Sequence, residues 1–145
     1  IIYAVPDMLA DTTLAPELSN AAHYYRAKAY LDAGKTDGAM EDLKILAKDT
    51  RNVYGAEAKY KVAQIYFDGG QTDKAEQEVL NYIEVSTPHT YWLARSFVLL
   101  AYVYMKLGRN LDAKQYLLSL KQNYQADDDI AGMIESRLEK LKTEN

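Results

Sequence analysis

Apolar side chains recur every three to four residues along six segments of the chain, which is typical of helices that bury one face. In one example, Val62, Ile65 and Tyr66 lead up to a glycine, and Val79 and Tyr82 follow it at the same spacing. Polar residues occupy the remaining positions of each segment. The pattern predicts six helices, over about 17–33, 36–49, 54–68, 72–86, 89–107 and 110–124.

A seventh helix is predicted near the end of the chain, over about 128–142. Three consecutive aspartates at 127–129 suit a helix N-terminus, where the backbone dipole favours negative charge. One apolar stripe follows, formed by Ile130, Met133, Ile134, Leu138 and Leu141. Because the opposite face carries charges of both signs, this segment is predicted to cap the last helix pair rather than to lie on a membrane surface.

Four residues recur three times at one spacing: an alanine, a tyrosine three positions later, a glycine four further on, and an alanine five beyond that. The three sets are Ala27, Tyr30, Gly34 and Ala39; Ala63, Tyr66, Gly70 and Ala75; and Ala101, Tyr104, Gly108 and Ala113. The glycines lie 36 and 38 residues apart. An internal repeat of this length indicates stacked pairs of helices.

Each repeat predicts the same turn between its two helices. The glycine is expected to take a positive φ and to end the first helix, since glycine has no Cβ to clash in that conformation. Two residues later a side-chain oxygen is predicted to cap the next helix, and an aspartate then stands in its first turn. The predicted caps are Thr36, Thr72 and Asn110, and the aspartates are Asp37, Asp73 and Asp112.

The repeated alanines are small at the places where two helices must approach closely. The tyrosines lie one turn later and can pack over the contact. Ala63 and Tyr66 belong to the middle copy, with a helix pair on each side. Both residues are therefore predicted to be nearly fully buried.

The spacing of alanine, tyrosine, glycine and alanine resembles the tetratricopeptide repeat, which pairs two antiparallel helices in about 34 residues. The likeness covers about residues 20–125. Two features of the family occur in part only: Phe97 is the single aromatic residue four positions before the first alanine, and Pro88 the single proline near the end of a second helix. The resemblance implies an all-α fold, a right-handed superhelix of stacked antiparallel helix pairs.

The predicted organisation has three parts. Residues 1–16 are expected to be a connector or the remnant of an upstream element, and the start at Ile1 favours a piece excised from a longer protein. Residues 126–145 are expected to hold the capping helix and a tail. Between them lie three repeats, at about 17–52, 53–88 and 89–125.

The resemblance also implies a binding groove, because the first helix of each pair in this family lines the concave face. The groove residues it implies are Tyr24, Lys28 and Leu31; Tyr60, Gln64 and Phe67; and Val98, Tyr102 and Met105, with Asp32, Asp68 and Lys106 at the edge. Such a mixture of apolar and polar side chains suits an extended peptide or an amphipathic helix. The alternative is that part of this stripe packs against a neighbouring helix or an upstream repeat.

Some members of the family capture a peptide carboxylate with a clamp of lysine and asparagine side chains. The matching places here hold Tyr24, Tyr60 and Gln64, so the clamp is absent and binding of chaperone C-termini is not expected.

No catalytic, metal or cofactor site is predicted. His23 and His89 lie 66 residues apart in different repeats, without a carboxylate at ligand spacing, and are interpreted as structural. The chain has no cysteine, which excludes disulfides and thiol chemistry. Gly69 and Gly70 lack the lysine and hydroxyl residues that follow in a phosphate loop. An enzyme is therefore not expected.

The net charge and the hydropathy of the chain limit the classes of partner that it is expected to bind. The net charge of −4 disfavours nucleic acid, and no apolar run is long enough for a membrane span. The predicted function is a non-catalytic scaffold that binds a protein or peptide in the groove. The alternative is a structural spacer or self-associating segment of a longer helical-repeat protein, and self-association would make the chain a homo-oligomer.

Similar three-repeat domains occur in bacterial envelope proteins, including outer-membrane assembly lipoproteins, which favours the periplasm or cell envelope as the location.

Overall fold

A computed structural model describes residues 16–85 and 87–144, and within these residues the chain is all α-helical. Each of the seven predicted helices is present, with ends within three residues of the predicted ones. The helices are α1 (Pro16–Asp32), α2 (Thr36–Leu46), α3 (Val53–Asp68), α4 (Thr72–Glu84), α5 (Thr90–Lys106), α6 (Asn110–Asn123) and α7 (Ile130–Glu144). The all-α fold class is confirmed.

The helices form stacked pairs. α1 packs against α2, α3 against α4, and α5 against α6, each pair joined by a turn of three residues. The pairs stack because α2 contacts α3 and α4 contacts α5. α3 also contacts both α1 and α5, so the first helices of the three pairs form one layer, which we call the first-helix layer. α7 packs against α5 and α6 and covers the last pair.

The turn within each pair is a Schellman motif, the helix ending in which the last carbonyls bond to amides beyond a left-handed residue. Gly34, Gly70 and Gly108 have φ values of 73°, 78° and 78°, which confirms the predicted positive φ. In the middle copy the Gly70 amide donates to the Phe67 carbonyl at 3.1 Å, and the next amide donates to the Tyr66 carbonyl at 2.8 Å. The same two bonds recur in the other copies.

The predicted side-chain caps after these turns are wrong. Thr36, Thr72 and Asn110 are the first residues of their helices, and the cap positions before them have no capping side-chain bond. The Schellman motif explains the shift, since the residue after the glycine donates its amide backward and offers its carbonyl forward to the next helix. The cap position therefore falls on that residue, which is Lys35, Gln71 or Arg109.

A different side chain caps α3, at the junction between the first and second pairs. The Asn52 side-chain oxygen accepts a hydrogen bond from the Gly55 amide at 2.8 Å. A Cβ on Gly55 would lie 1.8 Å from the Asp49 carbonyl oxygen and 2.6 Å from that of Leu46. Only glycine lets the start of α3 approach the end of α2 this closely.

The core lies between the helix pairs, and one of the two predicted central residues is in it. Ala63 is 1% exposed, as predicted. The prediction for Tyr66 is wrong, because its ring is half-buried and is flanked by the ammonium groups of Lys44 and Lys74 at 5.7 and 5.6 Å. Its counterpart Tyr104 is buried, since the ring of Tyr116 covers it at 5.6 Å. The side chain opposite the tyrosine thus decides its burial.

Replacing Ala63 by leucine should reduce the free energy of unfolding by about 1–3 kcal/mol, because the added atoms have no room at a filled helix crossing. Chemical denaturation measures the change. The control is Ala131→Leu on the exposed side of α7, which should stay within about 0.5 kcal/mol of the parent. An unchanged midpoint for Ala63→Leu would contradict the assigned packing.

Replacing Gly70 by alanine should cost about 1 kcal/mol of unfolding free energy, through backbone conformation alone. The new methyl group would meet no atom within 4 Å, so the positive φ is the sole source of the cost. Gly132 in α7 is equally open but has no positive φ, so Gly132→Ala should instead stabilise by about 0.5–1 kcal/mol. Thermal denaturation measures the stability of both variants. If both substitutions stabilise the protein, or both destabilise it, the positive φ of Gly70 is not the source of the cost.

Candidate functional site

The predicted groove residues do not form one continuous surface. Tyr24 and Lys28 lie at the start of the first-helix layer, in what we call the N-terminal cluster, with Tyr54, Glu57 and Lys61. A second group of predicted residues lines a depression at the other end, which we call the groove pocket. Its lining residues are Phe67, Tyr102, Met105, Lys106, Arg137 and Lys140.

The N-terminal cluster has its polar groups paired within the chain. The Tyr24 hydroxyl donates to the Glu57 carboxylate at 3.1 Å, and Lys61 forms an ion pair with the same carboxylate. The rings of Tyr24 and Tyr54 lie 4.6 Å apart, and the ammonium groups of Lys28 and Lys61 lie 5.5 and 5.9 Å from the Tyr24 ring. A ligand at this end would have to compete with contacts that already exist.

This environment changes the acidity of the Tyr24 phenol. Burial, followed by the negative charge of Glu57, raises the pKa of Tyr24 to about 12. Both causes act in the same direction, because an apolar surrounding and a nearby carboxylate each disfavour the phenolate. Tyr24 therefore acts as a neutral hydrogen-bond donor at physiological pH.

Tyr60 lies in the core, in contrast to its predicted place in the groove. Only 7% of it is exposed, because Trp92 and Arg95 of α5 cover its ring at 5.7 and 4.9 Å. Its hydroxyl donates to the Gln64 side chain at 2.9 Å, and Gln64 donates in turn to Asp68 at 2.7 Å. The middle of the predicted stripe is thus used for packing and internal hydrogen bonds, which was the alternative interpretation.

Two other residues predicted in the groove lie elsewhere. Val98 is buried in the core, although its position on α5 follows the same rule as Tyr24 on α1. Leu31 lines a depression of about 590 Å³ between the first two turns, where it faces Tyr66 and Met40. The repeat rule assumes equal neighbours for each copy, whereas the copies here differ in the helices that flank them.

The groove pocket is open, with a volume of about 280 Å³ between α3, α5 and α7. Phe67, Tyr102 and Met105 are half-buried and pack against the core, so their exposed parts form an apolar floor. Four of the predicted groove residues meet here, with Lys106 as the fourth. These residues form the largest part of the predicted site that the fold brings together.

Sequence reasoning missed the residues that α7 adds to this pocket. The Arg137 guanidinium carbon lies 3.7 Å from the centre of the Tyr102 ring, which is cation–π contact, and Lys140 lines the same wall. Arg137 and Lys140 are three positions apart and so share one helix face. That spacing was visible in the sequence, but the side of α5 on which α7 packs was not.

A further depression of about 390 Å³ lies on the opposite side, between α2, α3 and α4. Lys59 and Glu78 form an ion pair at 3.0 Å there, next to Tyr66. Size alone therefore does not distinguish the groove pocket from the other depressions. The groove pocket differs in its charge, because all of its charged lining residues are cations, whereas Glu78 stands among the lysines of this depression.

The expectation that His23 has no nearby carboxylate is wrong. His23 Nδ1 lies 2.7 Å from a carboxylate oxygen of the fully buried Asp42, and Arg26 donates to both oxygens of that carboxylate at 2.6 and 2.8 Å. These residues are 16 and 19 positions apart, on α1 and α2, so only the pairing of the helices brings them together. Because both carboxylate oxygens of Asp42 contact side chains of α1, the contacts of His23 and Arg26 with Asp42 join the two helices. His89 contacts the Arg51 carbonyl at 3.0 Å in the neighbouring loop.

Comparison with known families identifies two segments of the chain. Residues 94–123, within α5 and α6, match a family model described as tetratricopeptide repeat. Residues 21–49, which span α1 and α2, match a second model of the same description. A comparison with curated proteins gives no match.

None of the helices in the described part of the chain has the length and apolar content to cross a membrane. Those same residues contain no group of three metal-binding side chains.

The Tyr24 pKa provides a test of the N-terminal cluster. Carbon NMR of labelled tyrosine, assigned with Tyr24→Phe, should show this phenol ionising near pH 12, and Glu57→Gln should lower the value without bringing it down to 10. The raised pKa also implies that the stability Tyr24 contributes is complete below pH 10 and is lost as the pH rises toward 12. A Tyr24 pKa unchanged by Glu57→Gln would contradict the contact.

Proposed function

Because the chain belongs to the tetratricopeptide repeat family, whose members generally serve in protein–protein interactions, we propose that it is a non-catalytic scaffold that binds a peptide segment of a partner protein. The bound segment lies on the first-helix layer and is anchored in the groove pocket. The observation that supports this choice is the open apolar floor of Phe67, Tyr102 and Met105.

An anchored peptide fits this surface for an energetic reason. Interfaces usually obtain most of their binding energy from a few large side chains that enter pockets, while the surrounding contacts exclude water. The groove pocket offers one such place, with aromatic and thioether groups already held by the core. Because the core holds this floor in position, a ligand pays little conformational entropy to order it.

The two ends of the layer contribute differently to this function. At the N-terminal cluster the Glu57 carboxylate is shared between Tyr24 and Lys61. At the groove pocket the apolar floor remains open to solvent. The pocket therefore supplies the anchor, whereas a segment that reaches the N-terminal cluster has to compete with the contacts already made there.

Peptides selected from a random display library on the immobilised protein should shift the backbone amide resonances of Phe67, Tyr102 and Met105. Tyr102→Ala should weaken their binding by about 2 kcal/mol or more, as expected for a central aromatic anchor. The helical circular-dichroism spectrum should not change. Tyr60 is unsuited to this test, because its removal would open a cavity in the core.

The matched control is Leu111→Ala on α6, a residue that is 69% exposed and away from the pocket, and it should leave affinity unchanged. Peptides that shift only residues of α2, α4 and α6 would refute the proposed binding surface.

One observation favours the second candidate, a spacer or self-associating segment of a longer helical array. α1 exposes Leu18 and Tyr25 to 52% and 48%, and residues seven apart lie on one helix face. This face could stack against further helices or a second copy. Failure to select any peptide, with shifts of α1 resonances that depend on protein concentration, would favour this candidate. A location in the cell envelope stays a prediction.

A further inference from the structure

We propose that α7 determines specificity as well as capping the last pair: Arg137, together with Lys106 of α5, makes the groove pocket selective for an acidic segment. The occupant is a stretch of a partner protein in which glutamate or aspartate residues flank one large apolar side chain. This inference rests on the proposed function and adds to it the chemistry of the ligand.

The first argument is the sign of the charge at the pocket. The chain as a whole has a net charge of −4, yet every charged residue that lines the pocket is a cation. Within the described residues neither Lys106 nor Arg137 forms an ion pair. In the N-terminal cluster, by contrast, Glu57 neutralises Lys61. The charges of Lys106 and Arg137 are thus available to an incoming carboxylate.

The second argument is the distribution of charge around α7. Two of its carboxylates, Glu135 and Glu139, line a separate depression of about 240 Å³ between α6 and α7. There they form ion pairs with Lys121 and Lys142 respectively. These two carboxylates therefore lie away from the groove pocket, and their charge does not cancel that of Arg137.

The third argument is the way in which the Arg137 guanidinium is held. Its guanidinium carbon lies 3.7 Å from the centre of the Tyr102 ring, and the five N–H donors of a guanidinium point outward in its plane. This cation–π contact holds the group in place, while donors remain for a carboxylate, and so reduces the entropy lost when the ligand binds. The adjacent apolar floor accepts one large side chain, which explains why a purely ionic ligand would use only part of the site.

The pocket favours a peptide over a nucleic acid. Phosphate backbones bind tightly where many cations follow their path, and here three cations stand on an otherwise acidic protein. At about 280 Å³ the pocket is also small for a cofactor and suits a single side chain.

The test uses two capped pentapeptides, one with phenylalanine between pairs of glutamates and one with glutamine in place of each glutamate. In nitrogen-labelled NMR titrations the acidic peptide should shift the amides of Tyr102 and Met105, with an affinity about tenfold higher than that of the glutamine peptide. Arg137→Gln combined with Lys106→Gln should reduce the affinity for the acidic peptide about tenfold and leave that for the glutamine peptide unchanged.

The matched control is Lys114→Gln with Lys121→Gln, which removes the same charge from α6, at the depression on the other side of α7. An equal loss of affinity in both double variants would mean a general effect of net charge and would overturn the inference. Lys106→Gln alone, on α5, provides a second variant in case the change in α7 loosens its packing, and it should also weaken binding of the acidic peptide.

Two further outcomes would overturn the inference. Equal binding of the two peptides at the pocket would remove the preference for acidic segments while leaving the proposed function intact. Inorganic tripolyphosphate that binds the same residues as tightly as the acidic peptide would show a simple anion site. Failure of the proposed function is recognised separately, because library-selected peptides would then shift resonances outside the first-helix layer.

Discussion

The close approach of helices at small side chains is the constraint on which the structure depends. The six repeated alanines, two in each pair, are all 1% exposed or less. A larger side chain at any of them would push two helices apart, because protein cores are already closely packed. The crossings set the distance within each pair and between pairs. They therefore place the first helices of the pairs in one layer and bring Phe67 of α3 next to Tyr102 of α5.

The end of the repeat array gives this scaffold its distinct site. Inside the array, the next first helix covers the preceding one, as Trp92 and Arg95 of α5 cover Tyr60. After α5 no further pair follows within the described residues, and α7 takes that place. On the side of the first-helix layer, Tyr102 and Met105 stay half-buried and line the pocket beside Arg137 of α7. The capping helix thus protects the core and also shapes the groove pocket.

Local rules predicted most of the fold, and the family resemblance named four of the six residues that line the groove pocket. Helix positions and the three glycine turns follow from apolar periodicity and from the conformational freedom of glycine, both of which act within a few residues. Predictions failed where a distant residue decides the outcome. Tyr66 and Tyr104 have the same place in the repeat, yet Tyr116 covers only the second. His23 has no carboxylate nearby in sequence, but the pairing of α1 and α2 places Asp42 beside it.

The sequence by itself determined the number of helices, their order and the turns that pair them, because the repeated alanines, tyrosines and glycines act through short-range backbone and packing preferences. The tertiary structure alone decided which residues of the first-helix layer remain accessible. That choice depends on the side from which α5 and α7 approach, and hence on contacts between residues far apart in the chain. Phe67 and Arg137 are brought to one pocket only when the whole array has assembled.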